Sequence, residues 1–204
     1  CIHDFSDIVE SFANSLSQYG MHTEVNSAIG HLELFSPAED SLQLAAGRLL
    51  SVIGKENNLA FAQLWRAPPA DKLTGEETVR LASLQGQSHA SDERMAEFHV
   101  TCAGLSVMEG EGLVGAAYAS LRPVFSPDVR DLSPEQYPHV SYARQYGARA
   151  CVALRLQQLH FNQEVLVLEC FLPEDPNVQK LAKSLIVNVQ AQLDWLGFAW
   201  QSHG

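Results

Sequence analysis

Basic residues are scarce in this chain. Lys and Arg number 13 in 204 residues against 24 Asp and Glu, and the formal net charge is -11. Affinity for a nucleic-acid backbone comes from clustered cations. Here they are scattered, so contact with DNA or RNA is not expected of this segment. One locally positive pocket is still compatible, because net charge says little about a single concave site. Long apolar runs are missing too. No stretch approaches the length of a membrane span, and no membrane partner is expected. The start, CIHDFSDIVE, is acidic where a secretion signal needs a basic flank. It lacks an initiator methionine, which points to a piece of a longer protein.

Catalytic grammar is also absent. The chain has no GxSxG, HExxH, Walker loop or GxGxxG after a strand. No catalytic residue and no cofactor are therefore expected, and the chain reads as a non-enzyme. The eight histidines are scattered. Neither His22 with His31 nor His139 with His160 has metal-ligand spacing, so no metal site is expected. The four cysteines, Cys1, Cys102, Cys151 and Cys170, form no CxxC pair. Cys151 in ACVALRL and Cys170 in VLVLECFLP read as small buried hydrophobes in a reducing compartment. A chromophore-bearing or redox cysteine is the rival reading.

What is present is a core. Hydrophobic residues make up 46% of the chain, too many for a disordered segment. Phe5, Ile8, Phe12, Leu16 and Tyr19 lie on one helical stripe that stops at Gly20. With the weakly patterned stretch after it, this gives a helical extension and connector over 1–35. A second helix starts strongly, with Ser36 as cap, Pro37 in the first turn and Glu39 three after the cap. Its face is Leu42, Ala45, Ala46, Leu49 and Ile53, and Gly54 ends it. Period-two alternation then predicts strands at 59–68 and 79–87. A helix opening at Ser91 carries Met95, Phe98 and Cys102 on one face. Residues 110–129 read as a Gly-rich turn, a short helix and a short strand. The GEG of Gly110 to Gly112, with Gly115, lacks the Lys-Ser/Thr of a phosphate loop and reads as a tight turn packing that helix on the sheet. A loop and helix over 133–147 lead to strands at 148–157 and 164–174. The last helix carries Leu181, Leu185, Val189, Leu193 and Leu196, and is closed by Trp195, Phe198 and Trp200. The order fits an α+β domain over 36–204: a central antiparallel β-sheet flanked by N- and C-terminal helices.

The segment EGEGLVGAAYASLRPVFSPDVRD resembles a GAF domain, in its G-x-G-hydrophobic-x-G turn, short helix and P-V-F-x-x-D-V strand. EQYPHVSYARQYGARACVALRL and VLVLECFLPED are similar to the GAF-like domain of the NIN-like, RWP-RK nitrate-responsive transcription factors of plants and green algae. LAFAQLWRAP and EFHVTCAGLSVMEGEG extend the likeness, which runs over about 42–176. It implies a regulatory domain that binds nitrate, in a nuclear or cytoplasmic protein. The family tyrosine falls on Tyr137, the strand tryptophan on Trp65 and a leucine on Val107. The family histidine falls on Leu105, and a second tryptophan on Ala96.

Nitrate is planar and weakly hydrated, and it wants in-plane donors between apolar walls. Candidate donors are the Tyr137 hydroxyl, the Arg144 fork, His99 and the backbone amides of 105–107, with Trp65 as a wall. The alternative is a ligand-free module for protein interaction, a homodimer through the terminal helices.

Overall fold

The computed structural model describes residues 37–68, 78–159 and 164–200; the side chains of 37–41, 194, 195 and 200 are not described. The extension read over 1–35 and the Ser36 cap lie outside the described residues. From Ser41 onward the chain forms one compact unit.

Helix α1 (Pro37–Glu56) is followed by strands β1 (Phe61–Arg66) and β2 (Arg80–Ala90). Next come α2 (Glu93–Cys102), β3 (Ser106–Met108), α3 (Gly112–Ser120), β4 (Val124–Ser126) and a 3-10 turn at Val129–Asp131. The chain closes with α4 (Val140–Tyr146), β5 (Cys151–Gln158), β6 (Val165–Phe171), α5 (Val178–Leu196) and β7 (Phe198–Trp200). The strands form one sheet in the order β3-β2-β1-β6-β5-β4, and β7 also pairs with β5. Every pairing is antiparallel. This is the α+β, GAF-type arrangement expected from the sequence.

The period of two sorts the side chains of the central strands into two layers. Ala62 and Leu64 of β1, Leu166, Leu168 and Cys170 of β6, and Val152, Leu154 and Leu156 of β5 face α1 and α5. Phe61 and Trp65, Val167 and Phe171, and Cys151 and Ala153 face α2, α3 and α4. Leu185, Val189 and Leu193 of α5 and Leu42, Leu49 and Ile53 of α1 are buried in the first layer. The α5 stripe is thus covered by the domain's own core. The expected partner residues Phe5, Ile8, Phe12 and Leu16 lie outside the described residues.

Two further sequence expectations are corrected. Phe198 and Trp200 do not close a helix: Gly197 turns at φ +82° and the next residues pair with β5, Phe198 opposite Gln158. The cap of α2 is Asp92, not Ser91, since its side chain accepts from the Met95 amide at 2.9 Å.

Candidate functional site

The polar chemistry of the domain is concentrated in its second layer. Alternation in β6 places Glu169, between Leu168 and Cys170, on the face that meets α2, α3 and α4. It is fully buried. Directly opposite stand Gln63 on β1 and Ala153 on β5. Trp65 lies two residues further along β1 and Cys151 two residues along β5, both on the same face.

The Glu169 carboxylate gathers donors from three directions. Its Oε2 accepts from Gln63 Nε2 at 2.8 Å and from Trp65 Nε1 at 2.9 Å. Its Oε1 accepts from the Tyr137 hydroxyl at 3.2 Å and, more weakly, faces the Cys151 thiol at 3.8 Å. Tyr137 comes from the loop before α4, and Gly112 at the start of α3 holds that loop close. A Cβ on Gly112 would sit 3.2 Å from the Pro138 ring. His139 lies flat on Trp65, with ring centroids 5.6 Å apart and an interplanar angle of 7°. It meets Tyr137 edge-on at 5.9 Å.

Burial sets the protonation states. It pushes the Tyr137 hydroxyl well above its ordinary range, and the Glu169 charge pushes the same way, so Tyr137 remains a donor. Burial lowers the His139 pKa, opposed by the charges of Glu169 and Glu111. The Cys102 thiol is pushed up to about 12 by burial and then by Glu169. The same two causes raise Cys151 and Cys170. Burial and the Glu169 charge thus both disfavour, at these three positions, the thiolate that a redox or chromophore cysteine needs.

The remaining candidates are placed as follows. Val107 is buried in the same layer as Trp65 and Tyr137, and Leu105 packs half-buried against that layer. The backbone amides of this segment are largely committed. Leu105 donates to Cys102 O, and Met108 to the Glu111 carboxylate. The Ser83–Leu105 and Glu109–Val79 bonds make Leu81–Val107 the mutually bonded pair of an antiparallel ladder, so the Val107 amide is taken up by β2.

His99 packs on Phe61 at 6.0 Å, and burial lowers its pKa. Phe61 pairs with Phe171, two residues along β6 from Glu169. Arg144 is a correction. It follows the inward-facing Ala143 on α4 and turns outward. Its Nε donates to Arg130 O at 2.9 Å and its Nη2 to Leu132 O at 3.2 Å, on the exposed side. The fork staples the loop at Arg130 and Leu132 on the exposed side of α4.

Sequence reasoning missed Glu169, Gln63 and His139. One signal was available for the first: a carboxylate in the middle of the apolar run VLVLECF, where a charge is almost never buried without a reason.

A family model described as the NLP protein GAF domain matches residues 45–195. This chain belongs to that family. Among the relatives of this GAF domain, rice (Oryza sativa subsp. japonica) Protein NLP1 is 26% identical over 176 residues, which are 83% of this chain and 19% of that protein. Protein NLP8 of Arabidopsis thaliana is 27% identical over 176 residues, 83% of this chain and 18% of that protein. The chain thus spans about a fifth of the length of these relatives. Among solved structures, the GAF domain of A. aeolicus nlh2 is similar over 76% of this chain and 81% of that one, at 13% identity and a TM-score of 0.45. Among the described residues no group of His, Cys, Asp and Glu is placed to hold a metal ion, and no helix is long and apolar enough to cross a membrane.

Proposed function

We propose that this GAF domain is the ligand-sensing regulatory part of a nitrate-responsive transcription factor, and that it binds nitrate where Trp65 and Tyr137 converge. One observation carries the reading. Trp65 Nε1, Gln63 Nε2 and the Tyr137 hydroxyl, all neutral donors, meet on one planar oxyanion, the Glu169 carboxylate, inside an otherwise apolar layer. Such a donor set matches a weakly hydrated planar anion. The flat Trp65–His139 stack and Val107 supply the walls. Binding there bears on the Tyr137–His139 loop and on α3 beside it, and a ligand that favours one arrangement of these parts shifts the population toward it.

Calorimetry of the chain with nitrate, against chloride at equal ionic strength, tests the reading. A hydrogen bond to a charged partner is worth about 1.5–3 kcal/mol. Tyr137→Phe should therefore weaken nitrate roughly ten- to a hundredfold. Unchanged affinity in Tyr137→Phe removes Tyr137 from the site.

A second reading, the ligand-free interaction module, is favoured by a different observation. The same donors are already satisfied from within by Glu169, and Leu105 and Ala96 offer no side-chain donor. Absence of nitrate heat at millimolar ligand makes that reading the leading one.

A further inference from the structure

The Glu169 carboxylate is held without a cation: among the described residues its partners are neutral donors on β1, on β5 and in the Tyr137 loop. A buried charge of this kind is costly to keep for stability alone. The neighbouring amide pays in the same direction. Gln63 gives its Nε2 to Glu169, while its Oε1 is buried with no partner. Ala153, opposite Glu169 on β5, presents only a methyl group to the site. The layer is therefore built to surround a small planar oxyanion with donors, and here the oxyanion is part of the chain.

A carboxylate and nitrate share the features that this donor set reads. Both are planar, carry one negative charge and accept hydrogen bonds in plane. We propose that Glu169 is the resident ligand of the anion site, so that an external anion binds by exchange on the donors that Glu169 now holds. The ligands admitted are then the small planar oxyanions as a class, formate and nitrate alike, and the spherical chloride is not among them. The inference rests on the reading that Trp65 and Tyr137 form the anion site. It adds that the chain competes with its own ligand. Exchange would free the Glu169 side chain on β6, which pairs with both β1 and β5, and the Tyr137 loop would follow whichever oxyanion it donates to.

The test uses the whole chain with Glu169→Ala, which leaves a carboxylate-sized gap, and Glu169→Gln, which keeps the shape without the charge. Nitrate, formate and chloride are titrated at equal ionic strength, by calorimetry and by thermal unfolding. Nitrate should bind both variants at least tenfold tighter than the parent. Formate and nitrate, but not chloride, should raise the melting temperature of Glu169→Ala. If the parent binds nitrate and neither variant binds it more tightly, the resident ligand is overturned and the nitrate reading stands. If the parent gives no heat and Glu169→Ala binds nitrate, the resident ligand is supported and nitrate sensing by the parent falls. A Glu169→Ala chain that neither anion restores to the folded state, beside a Glu169→Gln chain with parental affinity, also overturns the proposal.

Discussion

At the scale of single residues, the charged groups divide by what surrounds them. Asp128 sits between two arginines. It accepts from the Arg130 amide, Nε and Nη2 and from Arg149 Nε at 2.7–3.1 Å. Its pKa falls from 3.8 to about 2, chiefly through the Arg130 side chain. The unfolded chain therefore binds more protons than the folded one between about pH 4 and pH 2. The stabilisation is complete above that window and is lost as pH falls through it. Both arginines are a third or more exposed, so screening reduces the contribution to roughly 1 kcal/mol. Asp128→Asn should lower the unfolding free energy from urea titration at pH 5 by that amount and flatten its fall between pH 4 and pH 2. An unchanged acid limb would count against the pairing. Asp128 was legible in the P-V-F-x-x-D-V motif as a position, but its arginines were not, because Arg149 is brought to it only by the β4–β5 pairing. Tyr137, Trp65 and Val107 were legible as neighbours because each stands on a motif, and all three are buried in one layer. Arg144 was misread for a local reason: on a short helix whose inward residues are Val140 and Ala143, the next position turns to solvent.

At the scale of elements, strong periodicity was the reliable guide. Helices α1 and α5 and strands β1, β2, β5 and β6 each carry enough repeats of their stripe or alternation to be read. Strands β3 and β7 are three residues long, too short for a period to appear, and they exist because a neighbouring strand offers free backbone groups. Helix α5 shows what its stripe is worth. Leu185 is 1% exposed and Val187, two residues on, is 64% exposed. Leu185→Asp removes about 1.5–3 kcal/mol of burial and adds the cost of a buried charge, so a loss of at least about 4 kcal/mol in chemical unfolding is expected. Val187→Asp should stay within about 0.5 kcal/mol of the parent. The short helix α3 is fixed by contact and not by a cap. A Cβ on Gly115 would lie 2.0 Å from the Met108 carbonyl oxygen, so the helix rests directly on the end of β3. Gly115→Ala must push the two apart, at about 1–3 kcal/mol, read as a lower melting temperature.

At the scale of the whole molecule, the sheet separates two environments. The α1–α5 side holds the larger apolar cluster, with Gln158 of β5 buried at its margin, while the opposite side carries Glu169, Gln63, Tyr137 and His139. The described cysteines lie on both sides, and all are buried. With their thiolates disfavoured and the thiols out of reach of solvent, Cys102, Cys151 and Cys170 should stay silent toward a thiol reagent at pH 8 in the folded chain. They should all react once guanidinium unfolds it; rapid labelling of any of them in the native protein would reopen the redox reading. The same two-sidedness bears on how the chain finds its fold. Strands of Val and Leu can pair in several offsets at little cost, since either neighbour fills either gap. In β6 a slip of one residue would carry Glu169 through the sheet into the apolar cluster of the α1–α5 side, unpaired, at a cost of several kcal/mol. The carboxylate at the centre of the sheet is thus also a registration mark, permitting one alignment of β6 between β1 and β5 and making the misaligned ones too unstable to persist.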